Sequence, residues 1–457
     1  MKACKLGKLL LICMPCISLI WYVVSRQSIY HYAPSNSYDY DFSKSTARNF
    51  DLVAVDGKIT LPVIPQDWDT ALLSVEIKPN VPLGFVLQPA IEIMGGDRRT
   101  RQTFEYGAAG IRYLNVSQLI VAKQRELRLE GHYLALSNTH VTLSLFKNGY
   151  TAKSRVLVVS PHPDDAEIAA FGLYSGADSY IVTLTAGEAG DNIYDELYPD
   201  DSEGRLKKGE LRVWDSLFVP ALGGVPPEHT VNLGYFDNTL ANMYLKDPLP
   251  VNSMANGKHD IGVFRSRNVS KLLKDSGSAE PTWESLVNDL AHLLLAINPA
   301  IIVTPYPALD AHTDHKYATL ALIEAIKKLN LTEGNLYLYT NHCPYNEYYP
   351  YGEPGDPVSL PPNFGVPPYF SSLYSHPLTA AGIRDKVLAM EAMHDLRLDT
   401  EWLTPKGALS LFGKDLKKHL TGFDKSYFRR AARSNELFFV VPVRDIYDRA
   451  TVKKLAG

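Results

Sequence analysis

The sequence predicts an α/β protein with a Rossmann-like, mostly parallel sheet that has helices on both faces, preceded by an all-β, sandwich-like module. Two observations lead to this fold class. From about residue 50 to residue 147, short stretches alternate apolar and polar residues between glycine, proline, asparagine and aspartate breaks, as antiparallel strands do. From residue 154 onward, apolar strand-like runs alternate with helical segments, which is typical of a parallel sheet covered on both faces.

Composition limits the classes of protein to which the chain can belong. Its 457 residues are 46% hydrophobic and 21% charged, enough to bury sizeable cores in two or three domains. The net charge is −4 and no basic stripe is present, so the sequence offers no electrostatic footprint for nucleic acid. Three of the four cysteines lie within the first sixteen residues, and Cys343 alone cannot form a disulfide or a thiolate zinc site.

Residues 1–26 predict a signal anchor or a signal sequence. Three lysines precede the apolar run at 9–24, which is short for a membrane span of about 17–25 residues. No convincing small-residue cleavage site follows closely, so we favour an uncleaved anchor over a cleaved signal of an exported protein or a buried helix. The lysines place the N-terminus in the cytoplasm and the rest of the chain outside it, in the periplasm if the host is bacterial.

The next two segments are a predicted tether and a predicted β-rich module. Residues 27–49 are polar and rich in tyrosine, and we expect them to link the membrane segment to the folded part. Residues 50–150 contain alternating runs such as "ALLSVEIKP" and "VTLSLF". We expect this module to brace the rest of the protein, with glycan binding as the alternative, and not to be needed for metal binding.

Residues 151–450 are predicted to form the α/β domain. Its strands are expected, in chain order, at "RVLVVS", "SYIVTLTAG", "TVNLGY", "AIIVTPYP" and "NELFFVVPV". Its helices are expected at "GELRVWDSLFVPALGG", "TWESLVNDLAHLLLAINP" and "HKYATLALIEAIKKLN". The polar stretch 241–282 interrupts this alternation and indicates an insertion.

Ionisable residues follow two of these predicted strands directly. "PHPDDAE" after "RVLVVS" supplies His162, Asp164 and Asp165, and "DAHTDHK" after "AIIVTPYP" supplies His312 and His315. Sites in parallel sheets form beyond the carboxyl ends of the strands, so the two motifs are expected to meet. Two histidines and a carboxylate with an open position are typical of catalytic zinc, and a nearby carboxylate can act as general base.

Four motifs resemble those of the LmbE/PIG-L family of zinc-dependent de-N-acetylases: "HPDDAE", "HTDH", "TAGEAG" and "LGYFDN". The resemblance is close over 154–330, looser over 380–440, and does not extend to the β-rich module. "KVLAMEAMHDL" is similar to the late Lys…His helix of the family. The family's Arg-x-x-Glu is not intact in the first long helix, because Arg205 and Glu210 are spaced differently.

The resemblance implies a role for each of seven residues. These are the Zn²⁺ ligands His162, Asp165 and His315, the catalytic residues Asp164 and His312, and the substrate-binding residues Glu188 and Asp237. Asp164 would be the base that activates water, and His312 would lie near the developing oxyanion or the leaving amine. Glu167 stands at a predicted helix start, where a carboxylate suits the positive end of the helix dipole, and we interpret it as a support rather than a ligand.

The function expected from the resemblance is zinc-dependent removal of the N-acetyl group from an N-acetylglucosamine unit, with release of acetate. The substrate would be an envelope glycan or glycolipid, for example lipopolysaccharide core. The enzyme would be anchored in the membrane or exported. Two alternatives remain open: an amidase acting on a sugar-thiol conjugate, and a non-catalytic glycan-binding envelope protein. The proline- and tyrosine-rich stretch 341–374 is either a rigid surface loop or a surface on which sugar rings stack.

Overall fold

The computed structural model describes residues 29–65, 67–137, 139–190, 197–273, 280–396 and 424–457, together with positions 194, 409, 412–413 and 416. The predicted signal anchor at 1–26 lies outside these residues. Among the helices that the structure describes, none is both long enough and apolar enough to cross a bilayer.

The first part of the fold consists of two antiparallel sheets. Their strands are β1 (Arg48–Val53), β2 (Lys58–Thr60), β3 (Thr70–Pro79), β4 (Ala90–Gly95), β5 (Arg98–Thr103), β6 (Gly110–Asn115), β7 (Glu126–His132), β8 (Leu134–Leu136) and β9 (His140–Phe146). One sheet has the order β1-β9-β3-β6, with β8 beside β3, and the other has the order β2-β7-β4-β5. Alternate apolar side chains of both sheets, including Leu73, Ile91 and Leu143, share one core cluster. Two short helices, α1 (Leu83–Val86) and α2 (Ser117–Val121), connect the strands.

The second part is a mixed sheet. Its strands are β10 (Arg155–Ser160), β11 (Asp178–Thr185), β12 (Thr230–Tyr235), β13 (Ile301–Pro305), β14 (Asn335–Tyr339), β15 (Ser372–Pro377) and β16 (Asn435–Pro442). The order is β12-β11-β10-β13-β14-β16-β15. The first five strands in this order, β12, β11, β10, β13 and β14, run parallel to one another, whereas β16 is antiparallel to both of its neighbours. The predicted α/β class is therefore confirmed, with a sheet that mixes parallel and antiparallel pairs.

Helices cover both faces of this sheet. They are α3 (Asp165–Ser175), α4 (Asp201–Phe218), α5 (Leu240–Lys246), α6 (Gly262–Arg265), α7 (Trp283–Ile297), α8 (Thr313–Lys328), α9 (Ala380–Ala392), α10 (Tyr427–Ala431) and α11 (Arg449–Ala456). The apolar sides of α4, α7 and α8 belong to one core cluster, and those of α3 and α9 belong to another. The polar stretch 241–282 contains α5 and α6, so the predicted insertion holds two short helices.

The segment predicted to be a tether is packed against the rest of the protein where the structure describes it. Tyr30, Tyr38 and Tyr40 are each less than 9% exposed. The Tyr40 hydroxyl donates to the carbonyl of Pro361 at 2.6 Å. A buried tyrosine contributes the apolar area of its ring and a hydrogen bond through its hydroxyl. Residues 29–47 therefore form part of the fold rather than a free linker.

The antiparallel sheets and the mixed sheet share an interface. The Ser375 amide on β15 donates to the Thr70 hydroxyl on β3 at 2.8 Å, and the Asn115 side chain donates to the Ser375 hydroxyl at 2.9 Å. Leu72 and Phe146 lie in the same apolar cluster as the core on one face of the mixed sheet. The two parts thus bury apolar surface together.

Candidate active site

Neighbouring strands bring the two predicted motifs to the same edge of the mixed sheet. β10 and β13 are adjacent and parallel, so their carboxyl ends lie side by side. His162 follows β10, Asp165 begins α3, and His315 lies in the first turn of α8. All three are at least nine-tenths buried, with exposures of 8%, 2% and 0% respectively. The predicted metal ligands therefore lie together although 153 positions separate His162 from His315.

The donor atoms of these three residues, which we call the ligand trio, form a nearly equilateral triangle. His162 Nδ1 lies 3.2 Å from Asp165 Oδ2, and His315 Nε2 lies 3.1 Å from the same oxygen. The two ring nitrogens lie 3.3 Å apart. A tetrahedral zinc ion with bonds of about 2.0–2.1 Å would hold neighbouring ligand atoms about 3.3 Å apart. The trio therefore fits one such ion without rearrangement.

Carboxylates stand behind the outward-facing nitrogen of each histidine. His162 Nε2 lies 3.1 Å from Asp237 Oδ1, and His315 Nδ1 lies 3.1 Å from Asp310 Oδ2. Neither nitrogen has a hydrogen-bond partner of good geometry among the described residues. A carboxylate behind a metal-binding histidine orients the ring and makes it a stronger ligand. The arrangement is thus the one expected around a bound metal.

Other groupings around the trio are also compatible with a cation. The potential donor atoms lie within 4.8 Å of one another in each of three sets: His162, His312 and His315; Asp165, His315 and His342; and His162, Asp237 and Asp314. The Asn341 side chain donates to Asp165 Oδ1 at 2.7 Å, which leaves Oδ2 facing the two histidines.

Electrostatics at the trio favour positive charge. Burial by itself would lower the pKa of His315, but the carboxylates of Asp165 and Asp310 outweigh it and raise that pKa to about 10. Burial is likewise outweighed at His162, mainly by Asp237, and its pKa is raised well above the usual value. The pKa of Asp165 is held well below its usual range, because His315 and His162 outweigh its burial. Protons on the histidines or a bound metal ion could supply the positive charge that these carboxylates favour.

Asp164 adopts a strained backbone conformation beside the trio. Its φ angle is 135°, a value that residues with a side chain rarely adopt. Arg212 on α4 donates through Nη2 both to Asp164 Oδ2 and to the carbonyl of Pro163, each at 2.8 Å. Burial raises the pKa of the Asp164 carboxyl to about 7, against the opposing charge of Arg212. Strain held in place by a buried arginine is characteristic of functional positions.

His312 lies beside the trio without belonging to the triangle. It directly precedes α8, and its ring centre is 4.6 Å from that of His162 and 5.0 Å from that of His315. Burial, followed by the charges of His162 and His315, lowers the pKa of His312 to about 4. Its Nδ1 atom is buried and has no hydrogen-bond partner in the part of the chain that is described. A neutral imidazole is therefore available next to the trio.

The two predicted substrate-binding residues, Asp237 and Glu188, are hydrogen-bonded neighbours, and Asp237 is the one close to His162. Asp237 is close to His162, as given above, and its Oδ2 atom accepts a hydrogen bond from the Ala189 amide at 3.2 Å. Glu188 is fully buried, and its oxygens accept hydrogen bonds from the Asp237 amide at 3.0 Å and the Ser253 hydroxyl at 2.8 Å. One Glu188 oxygen positions Asp237 and the other holds Ser253, so Glu188 supports Asp237, and its contact with a substrate stays a prediction.

Glu167, interpreted from the sequence as a support, is a buried residue of α3. Its carboxylate accepts a hydrogen bond at 3.0 Å from the hydroxyl of Tyr174, which lies about two turns further along the helix. Burial raises the pKa of Glu167 to about 8.

The two arginines of α4 have different partners. Arg205 makes an ion pair with Asp201 at 2.8 Å, and Glu210 pairs with Lys207 at 3.2 Å. Arg212 contacts Asp164 instead. Arg212 and Asp215 are three positions apart and both are buried, and this spacing in "LRVWD" was the signal available in the sequence.

Two further residues of the site follow β14, the next strand along the sheet. Asn341 contacts Asp165 as described, and the ring centre of His342 is 5.3 Å from His312 and 5.0 Å from His315. His342 Nε2 is 3.3 Å from the Tyr427 hydroxyl. "TNHCP" directly follows a strand, so the strand-end argument applied to the other two motifs could have found these residues.

The comparison with protein families gives a match over the part of the chain that contains this site. Residues 157–326 match the family model described as PIG-L: GlcNAc-PI de-N-acetylase. The matched stretch includes the ligand trio, Asp164 and His312. A search of curated proteins gave no significant match.

Comparison with solved structures gives distant similarities. GalB, the 4-carboxy-2-hydroxymuconate hydratase from Pseudomonas putida KT2440, is 14% identical, with 63% of this chain and 95% of that chain covered and a TM-score of 0.30. A family two carbohydrate esterase from Cellvibrio japonicus is 11% identical, with 79% of this chain and 100% of that chain covered and a TM-score of 0.17. Similarities at this level bear on no functional conclusion.

Proposed function

We propose that this protein, which contains a PIG-L family domain at residues 157–326, is a zinc-dependent de-N-acetylase that acts on an N-acetylglucosamine unit. The single observation that carries this proposal is the ligand trio, whose donor atoms lie 3.1–3.3 Å apart beside Asp164 within the matched domain. The substrate class we propose is an envelope glycan or glycolipid, for example lipopolysaccharide core. The products are a free amine and acetate.

The trio residues His162, Asp165 and His315 would hold the zinc ion. A bound zinc ion would supply Lewis acidity toward the acetyl carbonyl and would make water acidic enough to ionise near neutral pH. Asp164 accepts the proton of the water whose oxygen forms the new C–O bond. It then returns a proton to the nitrogen as the C–N bond breaks. His312 lies where it can stabilise negative charge on the carbonyl oxygen.

Arg212 would hold Asp164 in position for both proton transfers. Two of its hydrogen bonds, to the Asp164 carboxylate and the Pro163 carbonyl, connect the side chain and the backbone of the strained turn. Its Nε atom lies 3.2 Å from the carboxylate of Asp395, which fixes the guanidinium from the other side. A base that must both accept and donate a proton needs such a constant orientation.

The test is hydrolysis by the purified, zinc-loaded protein. Free N-acetylglucosamine, an N-acetylglucosamine glycolipid, a lipopolysaccharide core fragment and an N-acylated sugar-thiol conjugate would be supplied in parallel. We expect free amine and acetate in equal amounts from one of the first three substrates. Activity on the thiol conjugate alone would favour the amidase, and binding of glycan without hydrolysis of any substrate would contradict an enzymatic role.

A cellular comparison would identify the acceptor. Mass spectrometry of envelope glycans from cells with and without the protein should show an acetyl-sized mass difference on one species. Cells that carry a variant without Asp164 should show the same pattern as cells without the protein. An unchanged glycan profile would contradict the proposed substrate class.

A further inference from the structure

A cavity of about 70 Å³ lies behind the ligand trio, where α3, β14 and α10 meet. Asn341 lines the cavity and at the same time donates to Asp165 of the trio. Tyr427 also lines it and contacts His342 at the edge of the site. Asn341 and Tyr427 thus contact both the cavity and residues of the proposed reaction centre.

The one carboxylate that lines the cavity is already neutralised. Glu436 makes an ion pair with Lys386 at 2.7 Å, and both side chains are almost fully buried. The Glu436 carboxylate also accepts hydrogen bonds from the backbone amides of Gly172 and Leu173, each at 2.9 Å. This pair therefore adds no net charge that could balance the remaining cations of the cavity.

Arg433 is a buried cation without a carboxylate partner among the described residues. It is 1% exposed, and its guanidinium donates to the backbone carbonyls of Asp356 and Tyr351. Burial lowers the pKa of Arg433 to about 10, which reflects a positive charge that the surrounding protein compensates poorly. A buried charge is costly unless it is paired, so an anion in the cavity would lower the free energy of this arrangement.

Two polar atoms of the cavity wall have no hydrogen-bond partner among the described residues. They are Arg433 Nη1 and the hydroxyl of Tyr339, which is 2% exposed. Buried polar groups are nearly always satisfied, and each exception requires an explanation. A small carboxylate that enters the cavity could accept hydrogen bonds from both donors and offset the charge of Arg433.

We propose that this cavity binds acetate, with its carboxylate at Tyr339 and Arg433, as a holding site for the product of the reaction. The identification of the anion as acetate rests on the proposed function. A cavity of about 10–15 Å³ is enough for one water molecule, so the cavity of about 70 Å³ accommodates a molecule of the size of acetate. Acetate held there is removed from the ligand trio, which frees the trio for the next substrate.

The decisive variant is Tyr339→Phe, tested by acetate binding to metal-free protein. The substitution removes only a hydroxyl that bonds to nothing described, so we expect the fold to remain intact. We expect acetate to bind the wild type in a one-to-one complex, as measured by titration calorimetry with sodium acetate. The variant should bind acetate about tenfold more weakly or worse, since a hydrogen bond to a charged group is lost.

Tyr337→Phe is the matched control. Tyr337 lies two positions earlier on β14 and is 1% exposed, but its ring packs against Tyr374 and Phe438, outside the cavity. This variant should bind acetate as the wild type does. Equal weakening by both variants would show an indirect effect on the strand and would overturn the assignment of the site.

Parallel titrations separate this proposal from its rivals. Acetate binding that needs zinc and is indifferent to Tyr339→Phe would place the anion at the trio and overturn the cavity site. Tyr339-dependent binding of inorganic phosphate with no binding of acetate would overturn the identity of the ligand. Failure to hydrolyse any acetylated sugar would contradict the proposed function alone, and acetate binding by the metal-free protein would then still support the cavity site.

Discussion

Asp164 and Asp165 carry the same side chain but contact different partners. Asp165 Oδ2 faces His162 and His315, whereas Asp164 Oδ2 accepts from Arg212. The positive φ angle of Asp164 turns its side chain away from the direction taken by its neighbour. One residue can thus hold a metal while the other handles a proton.

The two aspartates should therefore differ when they are substituted. Asp165→Ala removes a ligand and should lose most bound zinc together with activity. Asp164→Asn keeps the shape and the ligand set, and should retain zinc while turnover falls by about 10²–10⁴-fold, the loss expected of a general base. Zinc content by mass spectrometry and the deacetylation rate would be measured on both. Loss of zinc from Asp164→Asn with retention in Asp165→Ala would reverse the roles.

Arg212 should affect turnover more than substrate binding. Arg212→Lys keeps the charge but cannot hold both the Asp164 carboxylate and the Pro163 carbonyl. We expect kcat to fall by about 10–100-fold with little change in KM or zinc content, because Asp164 loses its fixed orientation. Arg205→Lys, on the same helix but paired with Asp201, is the control and should behave as the wild type. A rise in KM alone would instead indicate that Arg212 contacts the substrate.

At the scale of elements, the sequence predicted the site through the ends of β10 and β13. Apolar runs followed by "HPDD" and "HTDH" were sufficient to predict that the two motifs meet, because parallel neighbours align their carboxyl ends. The choice between Arg205 and Arg212 could not be made in the same way. Seven residues are close to two helical turns, so both arginines lie on nearly the same face of α4, about 10 Å apart. The Arg-x-x-Asp spacing at Arg212 was a signal in the sequence, but the contact itself depends on where the fold places the Pro163–Asp164 turn.

The tyrosines of residues 29–47 were not predictable for a related reason. Apolar periodicity is missing there, and a polar, tyrosine-rich composition suggested a linker. In the fold, Tyr38 donates to Glu105 at 2.6 Å and Tyr40 donates to the Pro361 carbonyl. Both partners are distant in sequence, so no local pattern reveals these contacts.

The loops after β10 and β13 should become more stable when zinc binds. The trio crowds ionisable groups that a metal would satisfy, and binding to the folded state alone stabilises it by about 2.7 kcal/mol at a free metal concentration of about 100 Kd. Thermal unfolding of chelator-treated protein should shift upward after zinc is restored. Asp165→Ala should show no such shift, and a zinc-dependent shift of normal size in that variant would place the metal elsewhere.

At the scale of the whole molecule, the antiparallel sheets are part of one packed body with the mixed sheet. The sequence suggested that the β-rich module is not needed for metal binding, since every predicted ligand follows it. Shared core residues such as Leu72 and Phe146 change that expectation. We expect a chain beginning at Lys153 to aggregate, whereas a chain beginning at residue 29 should fold. Size-exclusion chromatography and circular dichroism would test this, and a monomeric, folded chain from Lys153 that binds one zinc ion would contradict it.

Residues 1–26 should keep the protein attached to the membrane, as the lysine-flanked apolar run predicts. Fractionation should recover the protein in membranes after washing at high salt, and in the soluble fraction when residues 1–26 are deleted. N-terminal sequencing of the native protein distinguishes an anchor from a cleaved signal. A soluble native form that begins beyond Tyr30 would rule out the anchor.

The position of β16 determines when a newly made chain can finish folding. It is the last strand to be synthesised, yet it lies between β14 and β15 in the sheet. Residues near the N-terminus also reach their final positions late, because the Thr46 amide donates to the carbonyl of Ser371 at 2.7 Å. A ribosome must therefore release nearly the whole polypeptide before either the sheet or the N-terminal packing can close. Contacts between residues so far apart in the chain slow the last steps of folding, because long loops must close before these contacts form.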